Sequence, residues 1–195
     1  ADLSKAYGAD IVDVAKALRA DKRIGPAAYL DVSIGFSGGT LARDLKILIK
    51  KGRDAGVATP VISAVFNKNN SRRDLVIRYL KQHLRSLRGK KIAVLGLTYK
   101  PGTPTLRRAL SLEIIDKLKK NGALVRMHDP LANAEEAERL ARSSFQANPY
   151  LALKGCQAAI FVTQCPEFQK LNFKKMKSLM EKPFIFFDTR NAFYH

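Results

Sequence analysis

The chain has 195 residues and is 46% hydrophobic, enough apolar material for one ordinary domain or two small ones, and no run approaches the roughly 18 consecutive apolar residues of a membrane helix. Its 35 Lys and Arg against 17 Asp and Glu leave a formal charge of +18, which points to an anionic partner such as a nucleotide, phosphate, nucleic acid or acidic surface. The basic residues are dispersed, with neither zinc-finger spacing nor an RNP-like aromatic motif, so nucleic acid is the weaker of these readings.

The chain begins at Ala1 with neither Met nor an apolar signal core. This fits a chain trimmed at its N-terminus or a mature chain after signal removal, and leaves the compartment open.

In chain order, the first elements read as helices. Asp10, with Asp13 three residues on, has the form of a cap, and Ile11, Val14 and Leu18 then share one face. Next comes GFSGGTLARD, Gly35 to Asp44, with three glycines in five positions ahead of a helical pattern, Leu41, Leu45, Leu48 and Ile49, that runs to Gly52. A glycine loop feeding a helix N-terminus is a standard cradle for an anion. Thr59 and Pro60 then read as a cap and a first-turn proline, with Val65, Val76, Leu80, Leu84 and Leu87 continuing to Gly89. Such a helix of about 30 residues would span ~45 Å, more than one small core needs, and suggests a partner subunit.

From Lys90 the texture changes. KIAVLG, LVRMHD, AAIFVT and FIFFD are short apolar runs, separated by helical patterns such as Leu110, Ile114, Ile115 and Leu118, which ends at Asn121 and Gly122. Strands alternating with helices imply βαβ units and a parallel sheet covered on both faces, with the boundary near SLRGKK, residues 86–91. Cys156 and Cys165 bracket one predicted strand, too far apart for a disulfide, and read as reduced thiols.

In an open parallel sheet, ligands sit beyond the carboxyl ends of the strands. The residues there are Thr98, Tyr99 and Lys100, then His128 and Asp129, Thr163 and Gln164, and Asp188, Thr189 and Arg190. Tyr99 would stack on or line a base or ribose, and Lys100 and Arg190 would meet phosphates. The turn GLTYKPG lacks the second glycine of GxGxxG, so NAD is not expected on this sheet. Asp129, Asp188 and His128 would suit a divalent metal that activates water, although an aspartate after a strand also serves as a loop cap or ribose contact.

Residues 91–130, KIAVLGLTYKPGTPTLRRALSLEIIDKLKKNGALVRMHDP, resemble the opening of the C-terminal UDP-binding domain of the UDP-glucose/GDP-mannose dehydrogenase family, with its LGL(A/S)FKPGTDDLRES-type turn and later YDP. TQCPEFQKL resembles that family's TEWPEF segment, FFDTRNAF its DGRN segment, and DKRIGPAAYLDVSIGFSGGTLARD the RIGP…GFGGSCLPKD segment of its central domain.

The resemblance implies an α/β chain: an all-helical dimerisation domain, residues 1–88, followed by a Rossmann-like, UDP-binding domain, residues 89–195, in a homodimer. By similarity Tyr99, Lys100 and Arg190 contact the nucleotide, Arg23 reaches the partner's ligand, and Phe36 and Gly38 line the sugar-nucleotide pocket. The compartment it implies is the cytoplasm. The family's NAD domain, catalytic lysine and asparagine would lie before Ala1.

The departures are specific. The catalytic cysteine falls on Thr40, with Ser37 and Gly39 around it, while Asp44 keeps the catalytic aspartate position and Arg43 replaces a lysine. The acidic pair of the turn becomes Pro104 and Thr105, and the following glutamate becomes Arg108. Threonine is a far weaker nucleophile than a thiolate, so the expectation is a nucleotide or nucleotide-sugar binding protein without dehydrogenase chemistry. The alternatives are a metal-dependent nucleotide phosphohydrolase and a basic scaffold that binds polyanions through residues 77–91.

Overall fold

In a computed structural model, residues 1–36 and 39–193 are described, and the chain divides into two compact units, Ala1–Ser33 and Ile34–His195. No helix among the described residues is long and apolar enough to cross a membrane.

The N-terminal unit holds helices α1, Asp2–Ala6, and α2, Ile11–Ala20. Asp10 caps α2 as expected, its carboxylate accepting the Val12 N–H at 2.7 Å. Arg19 ties down the chain that follows, donating to the Ala28 carbonyl at 3.1 Å and to Asp31 at 2.7 Å.

The second unit opens with a packed helix pair, α3, Leu41–Asp54, and α4, Pro60–Leu84. Pro60 occupies the first turn of α4, but the Thr59 side chain makes no capping bond. The helix stops at Leu84, short of the expected Gly89, because Arg85 takes a left-handed φ of 61° that no α-helix accommodates. Val76, Ile77, Leu80 and Leu84 of α4 lie in the core of the sheet. The compact units therefore divide at Ser33 and Ile34, well before the change of sequence texture near residue 88.

The sheet is built from β1 (Lys91–Leu95), β2 (Leu124–His128), β3 (Ser144–Phe145), β4 (Ala158–Phe161) and β5 (Ile185–Asp188), all parallel, in the order β3-β2-β1-β4-β5. Helices α5 (Leu110–Lys120), α6 (Ala134–Ala141), α7 (Pro149–Leu153), α8 (Pro166–Gln169) and α9 (Phe173–Leu179) connect the strands. Strand side chains alternate between faces, so Ile92, Val94 and Ile160 enter one core with α4 and α5, while Ala93, Leu95 and Phe161 enter a second with α7, α8 and α9. Two cores explain why the central runs are apolar at every position. The strand β3 was invisible in the sequence, since two residues carry no periodicity.

Strand order reverses between β1 and β4, and the turn beyond β1 must fit against the turn beyond β4. Gly96 solves this with a φ of 83° and no side chain, since a Cβ there would lie 2.4 Å from the Thr163 carbonyl oxygen. Gly96→Ala is expected to cost more than about 3 kcal/mol in urea unfolding, from backbone strain plus a collision with main chain. Gly102→Ala, at a φ of 73° with open space around it, should cost only the strain, about 1 kcal/mol.

Candidate functional site

The residues beyond β1 and β2 are held by one carboxylate. Asp129, 2% exposed, follows β2 and accepts five hydrogen bonds. Its Oδ2 takes Leu97 N–H at 2.6 Å, Thr98 N–H at 3.1 Å and the Thr98 hydroxyl at 3.3 Å, and its Oδ1 takes Leu131 N–H at 2.8 Å and Ala132 N–H at 3.0 Å. From the other side, Thr163 donates its hydroxyl to the Thr98 carbonyl at 2.5 Å. Asp188 is occupied in the same way, by Arg190 N–H at 2.9 Å and Phe193 N–H at 3.1 Å. Both aspartates act as loop clamps. Among the described residues no group of three His, Cys, Asp or Glu could hold a metal ion.

Past the clamp the chain turns outward. Tyr99 is half-buried and Lys100 exposed, with the ammonium 5.5 Å from the Tyr99 ring centre. Tyr99 N–H bonds to the Thr105 carbonyl at 3.0 Å, which folds residues 100–105 into a loop. Arg190 lies beyond β5, beside Phe161, Gln164 and Phe193 in a slot with only about 10 Å³ of free space. Burial there pulls its guanidinium below the ordinary arginine value, and no carboxylate among the described residues pairs with it.

Thr40 is the residue before α3, and its hydroxyl makes no capping bond to the helix. It lines a cavity of about 500 Å³ together with Arg43, Tyr99, Arg107 and Arg108. A second cavity of about 360 Å³, lined by Phe36, Lys46, Arg73 and Glu113, shares Arg43 and Arg108 with the first, so the two form one groove. Asp44 is bonded to Arg43 Nε at 3.0 Å and is half-exposed. Arg23 lies in the N-terminal unit with its guanidinium forked onto Asp21 at 2.6 to 3.2 Å. Gly38 lies outside the described residues.

Thr40 and Tyr99 share one cavity, Phe36 lies in the adjoining one, and Arg43, Arg107 and Arg108 complete the lining. Sequence reasoning missed Asn69, 4% exposed on α4. Its side chain accepts Phe36 N–H at 2.9 Å and donates to the Phe36 carbonyl at 3.3 Å, and a Cβ at Gly35 would collide with it. Arg73, one turn on, is 5% exposed and bonds to Glu113 at 2.8 Å and to the Asn69 carbonyl. A signal was present: Asn69 and Arg73 continue the apolar stripe of Val76, Leu80 and Leu84 at helical spacing, and polar residues on such a stripe imply a specific partner.

The two cysteines are free and buried, and burial pushes their thiols up to about 11 for Cys156 and about 12 for Cys165. His128 packs against Phe145 and Phe168, and its Nδ1 donates to the Gln146 carbonyl at 2.8 Å. Burial pulls its pKa below the ordinary 6.5, against upward pulls from that carbonyl, Asp129 and Glu167. The unfolded chain then takes up the proton first, so the stability held in the neutral ring is complete above about pH 6.5 and is lost as pH falls below it. Unfolding free energy measured in urea should fall from about pH 7.5 to 5.5, with a shallower slope in His128→Gln.

Comparison with known proteins places this geometry. Residues 93–195 match the UDP binding domain of the UDP-glucose/GDP-mannose dehydrogenase family, and residues 1–71 match its central domain. UDP-glucose 6-dehydrogenase of Pseudomonas aeruginosa is 32% identical over 99% of this chain and 44% of its own length. UDP-glucose 6-dehydrogenase TuaD of Bacillus subtilis is 33% identical over 99% of this chain and 42% of its own length. Among solved structures, a UDP-glucose dehydrogenase from Pyrobaculum islandicum superposes with a TM-score of 0.86 at 28% identity, over 96% of this chain and 42% of that one. The chain thus spans less than half the length of these relatives. Matched by both family models over most of its residues, it belongs to the UDP-glucose/GDP-mannose dehydrogenase family.

Proposed function

We propose that this chain binds a nucleotide sugar of the UDP-glucose class beyond the carboxyl ends of β1, β4 and β5, and that position 40 supports no thiol-based oxidation. One observation carries the reading: the charged residues that line the cavity beside Thr40 and Tyr99 are all arginines, Arg43, Arg107 and Arg108. A diphosphate needs such partners, and Lys100 and Arg190 add two more at the strand ends. The names of the curated relatives supply the sugar nucleotide, and Tyr99 supplies a ring at the cavity wall for base or ribose.

The groups divide their work by chemistry. Arg107, Lys100 and Arg190 meet the phosphates, Tyr99 packs on the nucleoside, and Phe36, pinned by Asn69, forms an apolar wall for the sugar. Oxidation through a covalent thiohemiacetal requires a thiolate at position 40. Threonine offers a hydroxyl, with no hydrogen bond to a carboxylate or imidazole among the described residues to take its proton. Asp44 is turned to Arg43. NAD is not assigned to this sheet: a pyrophosphate after β1 would need the Leu97 and Thr98 N–H groups, and both already donate to Asp129. The clamped Asp129 and Asp188 equally disfavour a metal-dependent hydrolase.

A homodimer belongs to the same reading. Leu41 and Leu48 on α3 and Val61 and Val65 on α4 are 46 to 74% exposed apolar residues, of the kind a partner helix covers. Sedimentation should give a dimer that Val61→Asp with Val65→Asp dissociates, and a monomeric parent chain would overturn this part.

Ligand binding is tested by thermal shift with UMP, UDP, UDP-glucose, AMP, NAD and phosphate. UDP-glucose at a hundredfold excess over its Kd should add about 2.7 kcal/mol, a rise of roughly 5 to 10 °C. Tyr99→Ala and Arg190→Ala should weaken it, whereas phosphate release with added Mg²⁺ or Mn²⁺ would revive the hydrolase. Thr40→Cys gives a second readout. Both native thiols are buried with raised pKa values, so iodoacetamide near pH 7 should label only the introduced thiol, and UDP-glucose should slow that labelling. Unchanged labelling under saturating ligand would remove the sugar from position 40.

A further inference from the structure

Arg108 lines the groove with Arg43 and Arg107, and the reading above gives it no particular atom of the nucleotide sugar to hold. Among the described residues, the two adjoining cavities carry five cationic side chains, Arg43, Lys46, Arg73, Arg107 and Arg108, against one carboxylate, Glu113. Two of the five are engaged: Arg43 with Asp44, and Arg73 with Glu113 and the Asn69 carbonyl. Lys46 stands 5.6 Å from the Phe66 ring centre. Among the described residues no carboxylate pairs with Arg107 or Arg108.

Arg108 borders both cavities and reaches the backbone beside Thr40, donating from Nη1 to the Gly39 carbonyl at 3.3 Å. Among the described residues, that contact leaves most of the fork free, since a guanidinium offers about five N–H donors in a plane that matches a carboxylate. The residue is held at a φ of 56°. An arginine in the left-handed region is strained, and strain of that kind collects where a side chain is aimed at a ligand.

We infer that Arg108 selects a nucleotide sugar whose terminal sugar carbon is already a carboxylate, a nucleoside-diphosphate uronate, over the corresponding neutral sugar. The inference rests on the reading that the sugar lies toward Thr40. Given that orientation, the group on the terminal carbon comes beside position 40, where Arg108 is tethered. An alcohol there accepts at most a single-point, neutral hydrogen bond and leaves the groove with surplus positive charge. A carboxylate makes a two-pronged, charge-assisted contact and supplies the missing negative charge. The chain on this view recognises the acid rather than making it.

The test is calorimetric titration of UDP-glucose and UDP-glucuronate into the parent chain and into Arg108→Gly and Arg108→Glu. Glycine suits the left-handed backbone at this position, so the first variant removes the guanidinium without adding strain. The expected result is UDP-glucuronate binding at least tenfold more tightly than UDP-glucose, a preference abolished in Arg108→Gly and reversed in Arg108→Glu. Equal affinity in the parent chain, or a preference that survives Arg108→Gly, overturns the inference and leaves the nucleotide-sugar site standing. Binding of neither ligand overturns both.

Discussion

The buried carboxylate of Asp129 is the contact on which the ligand-facing end of the sheet depends. It joins the turn after β1 to the turn after β2 through five hydrogen bonds, beside the point where strand order reverses. A buried carboxylate of this kind is tolerated only because donors surround it, and four of the five are backbone N–H groups that would otherwise be orphans, the fifth being the Thr98 hydroxyl. Gly96 and Thr163 close the other side of the same junction. Tyr99 and Lys100 then leave the sheet from a rigid base.

That arrangement has a chemical consequence. Many α/β nucleotide sites hold phosphate with the N–H groups of the first strand–helix turn, but here Leu97 and Thr98 spend theirs on Asp129. Recognition of an anion passes to side chains, and the groove is lined accordingly by arginines from α3 and from the loop before α5. The helix α4 serves both parts of the unit. Its C-terminal half packs under the sheet, while Asn69 and Arg73, a turn or two earlier on the same stripe, hold the Phe36 backbone and Glu113 of α5. Core packing and groove shape are thereby coupled through one helix.

Side-chain chemistry alone sets the period and composition of the elements. Apolar runs at every position required a sheet with two cores, Asp10 required a cap, Asn121 and Gly122 required a helix end, and the hydroxyl at position 40 excluded a thiol there. These are local facts, set by side-chain chemistry and by spacings of a few residues. The end of α4 at Arg85 and the two-residue β3 were not legible, because the first turns on one backbone angle and the second on pairing with β2. The roles of Asp129 and Asp188 emerge with the folded loops around them. Their letters suit a metal as well as a loop, and the choice depends on which N–H groups come within 3 Å or so: for Asp129 those of Leu97 and Thr98 across the sheet as well as its own loop, and for Asp188 those of Arg190 and Phe193 in the loop that follows it. Arg43 likewise stands far from the adjacent pair Arg107 and Arg108 in the chain, and only the folding of α3 against the β1–α5 loop gathers the three around one groove.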